Sequence, residues 1–257
     1  MYAIEARGLV KSFAGVMAVD GVDLLVEEGD VVGLLGPNGA GKTTTLMMLL
    51  GITSPDAGTV SLLGHTLPRE RVAALSRTNF TASYVGVPDR IRVREVLDVF
   101  AGIYGVPRSR IREVVELFEL QRFEKRFATQ LSSGQKTLLG LAKAMLNVPD
   151  LLILDEPTAS LDPEVAGRIR ATLMKVHRER RFTLLVTSHN MSEIERLCRR
   201  VVFMGNGRVV ADGSPAEIVG RYGAEDLEGT FLAIAARGRM PHGEGAVTPG
   251  LGGEVVP

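Results

Sequence analysis

The stretch from Val31 to Thr45, VVGLLGPNGAGKTTT, constrains this chain more than any other. A short apolar run, Val31 to Leu35, reads as a buried parallel strand. It leads into Gly36-Pro37-Asn38-Gly39-Ala40-Gly41-Lys42-Thr43, and from Thr44 onward the apolar residues follow a helical period. Strand, glycine loop and helix in that order point to an α/β fold.

Each residue type in the loop has a physical reason. Glycines at 36, 39 and 41 let the backbone curl with its N–H groups pointing inward, a concavity that binds anions, and the following helix adds the positive end of its dipole. Lys42 supplies a mobile point charge for outer phosphates. The Thr43 hydroxyl is a hard oxygen ligand suited to Mg²⁺ beside them. The spacing is that of the phosphate-binding P-loop.

A chain of 257 residues is long enough for one α/β domain carrying a subdomain. Lys and Arg together number 30 and Asp and Glu 30, so no global field draws the chain to nucleic acid, and no nucleic-acid partner is expected. The basic run from Arg168 to Arg181 reads as the solvated face of a helix. The single cysteine, Cys198, excludes an internal disulfide and, beside Leu197, reads as packing. The opening MYAIEARGLV carries Glu5 and Arg7 where a signal peptide needs an apolar run. No window approaches the roughly 20 apolar residues of a membrane span. The expectation is a chain soluble by itself.

Along the chain, Tyr2 to Val10, Val22 to Val26 and Val60 to Leu63 read as strands of a small antiparallel layer flanking the phosphate loop. Phe13 falls between the first two. In a loop, an exposed aromatic is a flat platform for a purine base; a core-facing Phe is the alternative. Asn79 to Tyr84 is a further strand candidate, and helical periodicity over Arg94 to Tyr104 and Pro107 to Leu120 suggests a helical insertion, spanning about residues 86–147.

Leu131-Ser132-Ser133-Gly134-Gln135 precedes a helical pattern. Ser132 suits an N-cap, and that helix terminus with Gly134 offers a second anion site. Leu151 to Leu154 form an apolar strand ending in Asp155 and Glu156, at the carboxyl end where ligands of open α/β sheets lie. One carboxylate can hold Mg²⁺ and the other can polarise an attacking water. Asp162, before Pro163, suits the cap of the next helix. Phe182 to Val186 is another strand, with Thr187-Ser188-His189 at its end, and of the histidines His189 alone is set to reach a γ-phosphate. Met191 to Leu197 reads as a helix, Arg200 to Met204 and Arg208 to Ala211 as a hairpin, and Pro215 to Arg221 and Glu225 to Ala236 as closing helices. Residues 238–257, rich in Gly and Pro, are expected to be a disordered tail.

Taken together, these motifs resemble the nucleotide-binding domain of ATP-binding cassette (ABC) proteins over residues 2–237. Gly36 to Thr43 resembles the Walker A loop, Leu131 to Gln135 the signature, Leu151 to Glu156 the Walker B strand, Ala159 to Asp162 the D-loop, His189 the switch histidine and Phe13 the aromatic A-loop. The resemblance implies a P-loop fold of the ABC type, with a mixed, mainly parallel sheet, an antiparallel β layer and a helical subdomain. It implies ATP with Mg²⁺ as ligands: Phe13, Gly36, Pro37, Asn38, Gly39, Ala40, Gly41, Lys42, Thr43 and Thr44 around the nucleotide, Thr43 and Asp155 on the metal, and Glu156 and His189 in catalysis. Ser132, Ser133, Gly134, Gln135 and Asp162 would act across a head-to-tail nucleotide sandwich formed with a second copy of the chain. Three positions depart from the family pattern: Ser83 stands where the Q-loop glutamine is expected, Ser133 replaces a signature glycine, and Leu138 replaces an arginine.

The run NFTASYVGVP, the short helical segment and DLEGTFLAIA look like stand-alone ATPase subunits of ABC-2 type exporters. That implies a separate integral membrane permease, docked on the helical segment, and a cytoplasmic location on the inner face of the cell membrane. A soluble assembly or repair ATPase of the same family is the alternative.

Overall fold

The structure is a computed structural model and describes residues 1–82, 90–159 and 161–238. Strands β1 (Tyr2–Phe13) and β2 (Val16–Glu27) form a long antiparallel hairpin, extended by β4 (Ala57–Leu62) and β5 (His65–Thr66) into a four-stranded sheet of order β2-β1-β4-β5. Both hairpin strands run past their expected ends. Phe13 is therefore the last residue of β1, paired with Val16 across the turn rather than lying in a loop. The short β5 and the helix α2 (Arg71–Ser76) were not expected.

The second sheet has the order β10-β9-β3-β8-β7-β6. Here β3 is Val31–Leu35, β6 Thr78–Ala82, β7 Leu151–Asp155, β8 Thr183–Thr187, β9 Arg200–Gly205 and β10 Arg208–Gly213. All pairings are parallel except that of β9 with β10. The apolar runs that spell β3, β7 and β8 follow from burial on both faces. With a side-chain period of two, Val31, Leu35, Leu152, Leu154, Leu184 and Val186 enter one core, and Val32, Leu34, Leu151, Ile153 and Leu185 the other. The second core lies between the two sheets and is closed by α1 (Lys42–Leu49) through Leu46, Met48 and Leu49.

Between β6 and β7 the chain forms α3 (Val93–Tyr104), α4 (Ser109–Leu117), a 3₁₀ turn (Ala128–Gln130) and α5 (Ser133–Ala144). Helix α4 is shorter than its apolar period suggested, because Phe118 and Leu120 are drawn into the core after the helix has ended. Helix α5 packs on β6, where the Asn79 amide donates to the Ala144 carbonyl at 2.5 Å. The remaining helices are α6 (Pro163–Arg180), α7 (Met191–Leu197), α8 (Pro215–Tyr222) and α9 (Leu227–Gly238). Arg168, Lys175 and Arg178 lie on the exposed side of α6, as a solvated face requires. Cys198 is buried among apolar side chains, and burial pushes its thiol up to about 12. No helix among the described residues is long and apolar enough to cross a membrane. Ser83, the departure at the Q-loop position, Ser160 of the D-loop, and the tail 239–257 lie outside the described residues.

Candidate functional site

Sheet register assembles the site. Leu34 on β3 is paired with Thr187 on β8, Thr187 with Asp155 on β7, and Asp155 with Ala82 on β6. These four residues form one row at the carboxyl edge of the parallel strands, where such sheets hold ligands. The phosphate loop starts after Leu35, Glu156 follows Asp155, and His189 follows Thr187 by two residues. Segments more than a hundred residues apart in the chain therefore meet at one edge.

The loop has the backbone that its glycines predict. Gly36, Gly39 and Gly41 have φ of 146°, 80° and 98°. A Cβ on Gly36 would lie 2.3 Å from the Met204 carbonyl oxygen, and one on Gly41 2.5 Å from that of Ala18. The loop is thus wedged between the β9 end and the hairpin, with Ala40 buried and Asn38 and Gly39 exposed. Gly41 is the N-cap of α1 and supplies no side-chain cap. The amides of Lys42, Thr43 and Thr44, with no carbonyl one turn earlier in the helix, face outward at the positive end of its dipole. Thr43 is exposed and Thr44 half-buried. These features fit a polyphosphate. The Lys42 ammonium is buried and folded back on the loop, donating to Gly36 O at 2.6 Å and Pro37 O at 3.2 Å. Burial lowers its pKa, while Glu156 and Asp155 hold it up.

At the ends of β7 and β8 the side chains interlock. The Thr187 hydroxyl donates to Asp155 Oδ1 at 2.6 Å and accepts from the Glu156 amide at 3.0 Å. Glu156 has φ of 51°, a left-handed turn that swings its side chain away from the strand, and its Oε1 lies 2.5 Å from His189 Nε2. A carboxylate and an imidazole in contact, beside an anion-binding loop, can orient a water and a phosphoryl group. Among the described residues no cluster of three or more His, Cys, Asp and Glu is set to hold a metal. A divalent cation here would combine Thr43 and Asp155 with phosphate oxygens, a hard-oxygen set that suits Mg²⁺.

The remaining candidates divide into two places. Phe13 is 48% exposed at the hairpin tip, with the Lys11 ammonium 5.5 Å from its ring centroid. The core-facing alternative is excluded. Because Gly41 abuts Ala18 of the same hairpin, Phe13 belongs to the β layer that flanks the loop. Ser132, Ser133, Gly134, Gln135 and Asp162 instead line a cavity of about 520 Å³ between α5 and α6. Ser132 caps α5, accepting from the Gln135 amide at 3.3 Å, while the Gln135 side chain accepts from the Ser132 amide at 3.1 Å. Gly134 is buried where a Cβ would lie 3.0 Å from the Val165 side chain, so α5 and α6 pack closely and leave little room for a side chain there. Asp162 caps α6 through the Val165 amide at 2.9 Å. No residue of the phosphate loop lines that cavity; Glu156 and His189 line another, of about 620 Å³, with Ala159, Leu161 and α9.

The residue that sequence reasoning passed over is Thr187. Its only signal was a hydroxyl at the carboxyl end of a strand, TLLVT, that is aliphatic between its two threonines.

Residues 19–159 match the family described as ABC transporter. The chain is 42% identical over 225 residues to the Nod factor export ATP-binding protein I of Paraburkholderia xenovorans, covering 84% of this chain and 72% of that protein. Among solved structures, an ATP binding subunit of an ABC transporter superposes with a TM-score of 0.82 at 24% identity, covering 91% of this chain and 99% of that one. A dimeric bacterial ABC transporter cassette gives a TM-score of 0.74 at 24% identity, over 82% and 98% of the two chains. At that identity the structural likeness speaks for the fold.

Proposed function

Since this chain belongs to the ABC transporter family, we propose that it is an ATP-binding and hydrolysing subunit that powers export through a separate membrane permease. The observation that carries the hydrolytic part is the 2.5 Å contact of Glu156 with His189, held at the sheet edge beside the phosphate loop. The amides at the start of α1, with Lys42, hold the β- and γ-phosphates of ATP; the adenine stacks on Phe13. Glu156 orients and polarises the attacking water, and His189 contacts the γ-phosphate. Thr43 and Asp155 would hold Mg²⁺, which would supply positive charge beside the phosphates.

The signature cavity is separate from the chain's own phosphate loop, so Ser132, Ser133, Gly134, Gln135 and Asp162 act on nucleotide held by a second copy, in a head-to-tail dimer. The relative's role in export and the outer edge of α3, where Val99 is 53% and Ile103 67% exposed, support a permease docked on the helical segment. Through it the subunit is held at the inner face of the cell membrane.

The test is Glu156→Gln in the full chain. ATP binding should persist while most turnover is lost; wild-type turnover in this variant overturns the assignment of the base. With ATP and Mg²⁺ present, the tagged variant should bring down a polytopic membrane protein from membranes solubilised in mild detergent. Recovery of soluble partners alone, without sedimentation with membranes, would replace the transport role by that of a soluble ATPase machine.

A further inference from the structure

Glu156 and His189 reach each other from two loops that leave different strands. The first, from Glu156 to Ala159, is a tight turn that starts on the left-handed Glu156 and closes through the Ala159 amide on the Glu156 carbonyl at 3.1 Å. The second runs from Ser188 to Asn190, where Asn190 donates its amide to Ser188 Oγ at 3.0 Å and caps α7 by accepting from the Glu193 amide at 3.2 Å. The Thr187 hydroxyl ties the two loops together at the strand ends. Farther out they are tied again: Thr158 Oγ1 donates to Glu193 Oε2 at 2.5 Å, and the Arg170 guanidinium of α6 lies 3.5 Å from Glu193 Oε1. The Glu193 side chain is only 12% exposed, and each of its oxygens is engaged by a different element. A desolvated carboxylate so held is costly to place unless both partners stay put.

We propose that Glu193 is a positioning residue for hydrolysis, clamping the turn that carries Glu156 to the helix that follows His189. The proposal rests on the hydrolytic role given to Glu156 and His189 above. Its physical content is that the strand ends fix where each loop begins, whereas the Glu156 carboxylate is presented by a turn with no regular structure of its own. Held at one end only, that turn would let the carboxylate drift from the line of attack. With Thr158 fastened to Glu193, it is held at both ends, and Arg170, 3.5 Å from the other carboxylate oxygen, keeps the Glu193 side chain aimed.

The test compares wild type, Glu193→Ala, Thr158→Val, Thr158→Ser and the Glu193→Ala/Thr158→Val double variant, all as full chains. The expected loss in Glu193→Ala is about ten- to hundredfold in kcat with KM for ATP little changed, the scale of a mispositioned catalytic group. Thr158→Val should lose as much, the double variant no more than either single, and Thr158→Ser should recover most of the rate because it keeps the hydroxyl. Hydrogen exchange of the peptide spanning residues 156–161 should quicken in Glu193→Ala while the unfolding midpoint stays close to wild type. Unchanged kcat and exchange in Glu193→Ala, or additive losses in the double variant, would overturn the clamp. An inactive wild type would instead sink the hydrolytic reading, and the exchange experiment would still decide whether Glu193 holds the turn.

Discussion

Thr187 Oγ1 lies 2.6 Å from Asp155 Oδ1, and the same oxygen accepts from the backbone amide of Glu156 at 3.0 Å. One hydroxyl, wholly buried at the end of β8, thereby fixes both acidic residues at the end of β7. Thr187→Val is nearly isosteric and removes both bonds. The expected cost is about 1–3 kcal/mol, the usual penalty for leaving buried polar groups without a partner, together with a fall in Mg²⁺-dependent ATP hydrolysis. Denaturant unfolding and steady-state kinetics check the two parts; a variant with full stability and full activity removes Thr187 from the site.

Lys42 gives a prediction in pH. Burial lowers its pKa below the ordinary 10.5, so between the lowered folded value and 10.5 the unfolded chain binds more protons than the folded one. Stability of the nucleotide-free protein therefore carries a term that rises with pH through that alkaline window, and below it the buried charge is a standing penalty. Lys42→Met should abolish this rise and raise nucleotide-free stability at neutral pH while weakening ATP binding. Urea unfolding at a series of pH values, with nucleotide titration at pH 7, measures both; a variant that lost stability along with affinity would refute the account.

The loop glycines are not equivalent. Gly41 and Gly39 both have positive φ, but a Cβ on Gly41 meets the Ala18 carbonyl whereas one on Gly39 meets nothing within 4 Å. Gly39→Ala should cost only backbone strain, about 1 kcal/mol. Gly41→Ala adds a backbone collision that must shift the hairpin or the start of α1, and should cost at least about 2 kcal/mol with a larger loss of nucleotide affinity. Equal effects at the two positions, by thermal unfolding and nucleotide titration, would show that the loop is not wedged in this way.

Phe13 should separate affinity from stability. It is half exposed at the hairpin tip, so Phe13→Ala is expected to leave stability within about 0.5 kcal/mol. Loss of a stacked base should weaken ATP binding roughly tenfold or more, while Phe13→Tyr keeps the affinity. Fluorescent nucleotide titration decides it; unchanged affinity in the alanine variant would place the base elsewhere.

Some of this was legible residue by residue. The period of Leu151 to Leu154 made a buried strand, and the strand placed Asp155 and Glu156 at a carboxyl end. Ser132 and Asp162 announced themselves as caps because Ser and Asp side chains satisfy free helix amides, and both do so. Other features had no local mark. The extension of β1 to Phe13 depends on pairing with β2 and β4, and the early stop of α4 on the pull of Phe118 and Leu120 into the core. Glu193 carries no local mark either, since its contacts with Thr158 and Arg170 come from segments distant in the chain.

By itself the sequence determined the chemistry available: a glycine loop able to take phosphate, carboxylates at a strand end, and helices capped at defined residues, all dictated by local backbone and side-chain physics. Only the tertiary structure decided which of these groups meet. Parallel register put Leu34, Thr187 and Asp155 in one row, burial set the state of Lys42, and packing left the signature residues in a cavity away from their own phosphate loop. Those outcomes depend on contacts between segments far apart in the chain, which no local pattern encodes.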